Sequence, residues 1–139
     1  MNAQTTLISA RFFRATAALV LATAFFAGCA KAQHEKAIKQ RYADGVGAIC
    51  KDDFATFKQI IDPASAKDEG KTKLTWGVIR LMVTLGQLRA DDFRVDEIQL
   101  TQDNASASVF TSHREKGVWK KGDKPALWIL SDGTWHWKL

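Results

Sequence analysis

Phe93-Arg94-Val95-Asp96-Glu97-Ile98-Gln99-Leu100 alternates apolar and polar residues twice, in two different phases. Phe93 and Val95 fall on odd positions, Ile98 and Leu100 on even ones. A strand points successive side chains to opposite faces. The change of parity at Asp96-Glu97 therefore predicts a bulge that bends one strand and keeps both halves on the same core. Asp103-Asn104 reads as a turn and residues 105–113 as the next strand, with Ala107, Val109 and His113 on one face and Phe110 on the other. Gly117 and Gly122-Asp123 punctuate a hairpin. Pro125 restricts the approach to a third strand over residues 126–130, and Ser131-Asp132-Gly133 is a tight turn. Trp135, Trp137 and Leu139 alternate along the last strand, which predicts core packing for both tryptophans. Trp128 is expected on the other side of the sheet, where helices do not cover it.

Upstream the apolar period changes from two to that of a helix. Ile38, Tyr42, Val46 and Ile49 share one face of a first helix over residues 35–50, in which Gly45 and Gly47 permit close packing. Asp52 or Asp53 caps a short second helix bearing Phe54, Phe57, Ile60 and Ile61, which Asp62-Pro63 ends. Residues 64–73 are small and polar and read as a loop. The third helix spans residues 74–88. Leu74, Val78, Leu81, Leu85 and Leu88 share a face with Met82 beside them, while Trp76, Ile79 and Val83 widen the apolar arc, so this helix is expected to be well buried. Helices first and an antiparallel meander after them define an α+β class, with N-terminal helices packed on a curved antiparallel sheet.

Three features carry a family resemblance: the helix over 37–49, the run Ile98-x-Leu100-x-x-Asp103-x-Ala105-x-Ala107-x-Val109, and the ending Leu130-Ser131-Asp132-Gly133-Thr134-Trp135-His136-Trp137. With them the chain resembles the superfamily named after nuclear transport factor two, and more narrowly small bacterial lipoproteins of that fold. The resemblance implies a cone-shaped roll. It implies no particular activity, because the fold hosts enzymes, ligand carriers and assembly modules.

The first 28 residues read as an address. No acidic residue precedes Glu35, Arg11 and Arg14 give a positive start, and residues 15–26 are apolar but for Thr16 and Thr23. That run suits the core of a signal peptide and is short for a membrane span. Phe26-Ala27-Gly28-Cys29 resembles a lipobox, with Phe26 where leucine is commonest. Residues 1–28 are then a lipoprotein signal peptide, Cys29 the lipidation site bearing palmitate-type acyl chains, 29–34 a lipidated tether, and 35–139 a single α+β domain. Ala30-Lys31-Ala32 also fits an ordinary secretory cleavage that leaves Gln33 first and no lipid, and a further alternative keeps the segment as an uncleaved anchor; both place the domain in the same compartment. The residue after Cys29 is Ala30, not aspartate, which points to the periplasmic face of the outer membrane. Buried acyl chains contribute about 0.8 kcal/mol per methylene, so such an anchor is effectively permanent.

The chain is 139 residues long, enough for one domain, and its 46% apolar and 25% charged composition argues against a disordered tail or a many-span membrane protein. The formal charge of +5 includes Arg11 and Arg14, and without them eighteen basic residues face fifteen acidic ones. So mild a balance, in that compartment, argues against a nucleic-acid partner. His34, His113 and His136 are scattered, which leaves no metal site and no cofactor motif. Cys50 lies on an apolar stripe and reads as a small buried hydrophobe.

The residues singled out for contact are Arg80, His113 and the hairpin group Trp119, Lys120 and Lys121. Arg80 interrupts an apolar helix and would reach either an anionic ligand or solvent. Trp119, Lys120 and Lys121 lie between two glycines, where a projecting tip would meet a membrane surface or a protein partner. These features favour a non-catalytic periplasmic lipoprotein. It would bind a protein partner, as envelope-assembly or immunity proteins do, or a small apolar ligand in the cone. The alternative is a small isomerase or dehydratase in which Asp44 and His113 meet as an acid–base pair beside Tyr42.

Replacing Cys29 tests the anchor. Cys29→Ser is expected to leave the precursor unacylated and uncleaved, read by mass spectrometry of the N-terminus. A wild-type N-terminus at Gln33 without lipid would overturn the assignment.

Overall fold

A computed structural model describes the backbone of residues 7–139 and the side chains from Gly28 onward. The side chains of the expected signal peptide up to residue 27, and its first six residues altogether, lie outside the described residues. The chain divides into two compact units, Met1–His34 and Glu35–Leu139. Helix α1 is Leu7–Lys51. The expected tether over 29–34 is therefore helical, and the helix expected to start at residue 35 starts earlier. No proline precedes Pro63 and Gly28 is the only glycine before Gly45, so nothing in this stretch breaks a helix. No helix among the described residues is long and apolar enough to cross a membrane.

In the second unit, three aspartates start three helices in the same way. Asp53 accepts a hydrogen bond from the Thr56 amide at 3.0 Å and caps α2 (Phe54–Ile60). Asp62 accepts from the Ser65 amide at 2.9 Å and caps α3 (Pro63–Lys67), with Pro63 in the first turn. Asp68 accepts from the Lys71 amide at 3.0 Å and caps α4 (Glu69–Leu85). Each carboxylate satisfies an amide that the first helical turn leaves without a partner. The loop expected over 64–73 is thus two helical segments. Asp62-Pro63 closes α2 and opens α3 at once, because proline is well tolerated at a helix start.

Helix α4 corrects the sequence reading most sharply. Its buried residues are Thr72 and Val83, with Trp76 and Ile79 half-buried beside them. The stripe expected to be buried faces solvent: Leu74 is 69% exposed, Val78 52%, Leu81 59%, Met82 63% and Leu85 76%. Both arcs of the helix are apolar. The arc that packs inward brings Trp76 within 5.0 Å of the Phe57 ring and 5.5 Å of Phe54, and lets the Thr72 hydroxyl donate to the Ser65 carbonyl at 2.8 Å. Only Leu88 of the predicted stripe packs against the core.

The strands are β1 (Phe93–Leu100), β2 (Ser106–Glu115), β3 (Val118–Lys121), β4 (Ala126–Ser131) and β5 (Thr134–Trp137), after a 3-10 turn at Ala90–Asp92. All pair antiparallel in the order β1-β2-β4-β5, with β3 also on β2. The fold is therefore α+β, helices followed by an antiparallel five-stranded sheet. The register of β1 shifts between Val95 and Glu97. Asp96 occupies the bulge, and its carboxylate accepts from Arg94 Nε at 2.8 Å and from the Ser112 hydroxyl. Phe93, Val95, Ile98 and Leu100 consequently all reach the two apolar clusters. Lys116 (φ 51) and Gly117 (φ 81) join β2 to β3, and Asp132 (φ 49) and Gly133 (φ 74) join β4 to β5. Two successive left-handed residues are what the tightest hairpins require.

Trp128 is another correction. It is 2% exposed and belongs to the main core with Ile38, Ile60, Ala107, Val109 and Trp135. It pairs across the ladder with Ala107 and Trp137, both packed in the core, so it shares their face. Trp135 is likewise 2% exposed, and Trp137 packs at 6.0 Å, edge-on, against Phe57. The amide of Asp62 donates to the Trp137 carbonyl at 2.8 Å, tying the helical layer to the last strand.

Removing the Trp135 indole, Trp135→Ala, is expected to cost about 3–5 kcal/mol, measured by denaturant unfolding; a loss well under about 1 kcal/mol would show that the ring is not core. A second expectation concerns acid. Burial opposes the charge on Asp62, but hydrogen bonds from the Ser65 hydroxyl and the amides of Ser65, Leu139 and Ala64 outweigh it and hold the pKa below the ordinary carboxylate value. A pKa lowered on folding adds stability that is complete above the unfolded value, about 3.9, and is lost as pH falls through the folded value. Asp62→Ala should cost about 1–2 kcal/mol at neutral pH, as loss of a cap does. It should also flatten part of the acid limb of the stability profile. An unchanged limb would show that Asp62 is not held as described.

Candidate functional site

Between α1, α2 and the inner face of the sheet lies a cavity of 250 Å³. Tyr42, Gly45, Val46 and Ile49 line it from α1, Phe57 and Ile60 from α2, and Ile79 from α4. Phe93, Thr111, Ser112, His113, Ala126, Trp128 and Trp137 complete it from the sheet, with Gly122 just after β3. The helical spacing of four and three on α1, and the shared parity of Ala126 and Trp128 on β4, bring these groups to one space. Gly45 permits the close approach of α1 and α2: a Cβ there would stand 3.3 Å from Ile60 Cγ2.

The cavity wall is apolar with a few polar groups. Burial pushes the Tyr42 phenol up to about 12, against a hydrogen bond with Thr111 and together with the charge of Asp96. The hydroxyl therefore stays protonated and serves as a hydrogen-bonding group, not as a base. Trp128 Nε1 is buried and has no hydrogen-bond partner. A buried N–H without an acceptor costs about 1–3 kcal/mol.

The structure separates several residues that the sequence had grouped. His113 lines the cavity, opposite Phe93 on β1 and Lys120 on β3. Asp44 does not meet it. Asp44 is exposed, accepts from Gln40 Nε2 at 2.9 Å, and borders a different depression with Arg41 and Lys51. The acid–base pair required by the enzymatic alternative is not assembled. Arg80 donates to the Ile49 carbonyl at 2.7 Å and pairs with Asp52 at 3.1 Å, so its guanidinium joins α4 to the end of α1 and does not line the cavity.

Trp119, Lys120 and Lys121 do not form a projecting tip. They belong to β3, paired along β2, and the tip is Lys116-Gly117. Arg94 stands over the Trp119 ring at 4.2 Å and Arg114 at 5.6 Å. Lys120 pairs with Glu115, and Lys121 lies 5.4 Å from the Phe110 ring centre. Trp119 and Lys121 are committed to the sheet's outer face, while Lys120, the register partner of His113, lies on the opposite face and is held by Glu115. Cys50 packs partly against the second apolar cluster, and burial pushes its thiol up despite the nearby Arg80 charge. Cys29 is exposed. Among the described residues, no group of three His, Cys, Asp or Glu is placed to hold a metal ion.

Sequence reasoning missed Trp128, Thr111 and Gly45 as cavity residues. The even parity shared by Ala126, Trp128 and Leu130 was the available signal for Trp128.

No protein-family model matches the chain, and no curated protein matches it. Among solved structures, the chain is similar to a Campylobacter jejuni protein described as a "putative NTF2-like transpeptidase". The identity is 16% and the TM-score 0.48, over 76% of this chain and 96% of that one.

Proposed function

We propose that this chain is a periplasmic lipoprotein, anchored through Cys29 and sorted to the outer membrane. Its domain is a roll of the kind named after nuclear transport factor two, and it binds a small, mainly apolar molecule without transforming it. The observation that carries the binding role is the 250 Å³ apolar cavity. Its polar lining includes a phenol held neutral, the hydroxyl-bearing Thr111 and Ser112, and His113, and Trp128 in the same wall has a buried indole N–H without a partner. These fit a ligand whose bulk is hydrocarbon or aromatic and which carries one acceptor, such as a carbonyl or ether oxygen. The lipobox-like sequence supports the anchor, and Ala30 after Cys29 supports the outer membrane.

Filling the cavity tests this reading. Val46→Phe projects a ring into the space from α1. The wild-type chain is expected to take up an uncharged apolar dye with a rise in dye emission and quenching of tryptophan fluorescence. Val46→Phe is expected to lose both signals while keeping its thermal midpoint. Equal uptake by both proteins would place the dye elsewhere and overturn the cavity as the site.

A further inference from the structure

Among the described residues, seven large hydrophobic side chains are exposed, and five of them lie on α4: Leu74, Val78, Leu81, Met82 and Leu85. An exposed patch on the order of 500 Å² is at the top of what a monomer shows and ordinarily marks a contact surface. Covering it on two copies approaches the roughly 1,000 Å² that separates a specific interface from an incidental one.

The geometry points to a second copy of this chain, laid antiparallel on α4 about a two-fold axis. The main seam residues are spaced four, three and four apart, a series that reads the same from either end. Antiparallel pairing therefore sets Leu74 of each copy opposite Leu85 of the other, and Val78 opposite Leu81. The same register sets Gly77 opposite Met82. A Cβ on Gly77 would meet nothing within 4 Å, so a longer side chain from the other copy has room there. This is the reciprocal matching that a two-fold interface demands, large against small in both directions.

Charge selects the antiparallel direction. Lys71 precedes Leu74 on the same stripe, so parallel helices would bring two lysines together. Lys71 donates to the Leu139 carbonyl at 3.2 Å and Lys73 pairs with Glu69 at 3.7 Å within their own copy; antiparallel helices bring this positive end beside the other copy's carbonyl end, where α4 has no basic residue in its last turn. A lipid surface fits less well, because between Leu74 and Leu85 the only charge is Arg80, which is turned inward to Ile49 and Asp52.

The test is disulfide trapping in intact cells producing the full-length chain, oxidised with a membrane-permeant reagent. The unsubstituted chain sets the background from Cys29 and Cys50. Leu74→Cys and Leu85→Cys are produced separately and together. In the antiparallel pair each position lies about 16 Å along the axis from its own counterpart, too far for a disulfide. Linked dimer above background is expected only when both variants are present. Adding Val78→Glu and Leu81→Glu, both at exposed positions, is expected to abolish it without lowering the thermal midpoint. Leu74→Cys linking to itself would overturn the antiparallel arrangement. Absence of linked dimer from the mixture, with both variants folded, would overturn self-association on this face.

Discussion

The amide of Asp62 donates to the carbonyl of Trp137, and Ile61 bridges the same strand residue in parallel. At this point the chain's helical layer becomes a fixed wall over the sheet. Asp62 is 3% exposed, so its carboxylate must be hydrogen-bonded to be tolerated there, and the start of α3 together with the Leu139 amide supplies those bonds. Phe57, Ile60 and Ile61 are thereby held against Trp137 and its neighbours. The cavity lies above this seam. Its shape depends on α2 being fastened to β5 while α1 is kept close to α2 by Gly45.

What was legible in the sequence follows from what periodicity reports. The bulge at Asp96 was visible because a strand has only two faces, and a parity change with large apolar residues on both sides admits one economical answer. The tryptophans at 135 and 137 were visible for the same reason. A helix apolar on two arcs gives no such answer. On α4 the longer aliphatic stripe looked like the inner face, yet the aromatic arc through Trp76 packs inward, because Phe54 and Phe57 offer rings to meet it. The run 64–73 looked irregular because its residues are small and polar. Its helices are set by Asp62 and Asp68, which act through single hydrogen bonds that leave no periodic trace. The cavity was legible only in part. Tyr42 and His113 were foreseen near it, but Trp128, Thr111 and Gly45 needed the strand pairing and the approach of α2 to α1.

The two faces of the sheet are used differently. The inner face carries the aromatic and aliphatic residues and has few polar atoms. The outer face carries Arg94, Arg114, Trp119, Asp96 and Ser112 in mutual contact. Two guanidinium groups over one indole keep Trp119 on its own sheet, and the stacking is worth roughly 0.5–1 kcal/mol at such exposed sites. The abundance of aromatic residues near the C-terminus thus serves two purposes, closing the cavity within and shielding the sheet without.

Strand β2 divides its far edge between two neighbours: Ser106 to Val109 pair with β4, and Ser112 to Glu115 pair with β3. At the junction the Gly122 amide donates to the Thr111 carbonyl at 2.9 Å, and both residues line the cavity. The consequence concerns local unfolding. β3 is fastened by its own short ladder and by exposed charges, whereas β4 is fastened through Trp128 and the core. Peeling β3 from β2 breaks its own ladder and the Arg94–Trp119 contact with β1, but no ladder pair of β4 or β5. The last hydrogen bond of β3, at Gly122, lies in the cavity wall, so the edge of the sheet that is held most lightly is also the one that borders the cavity.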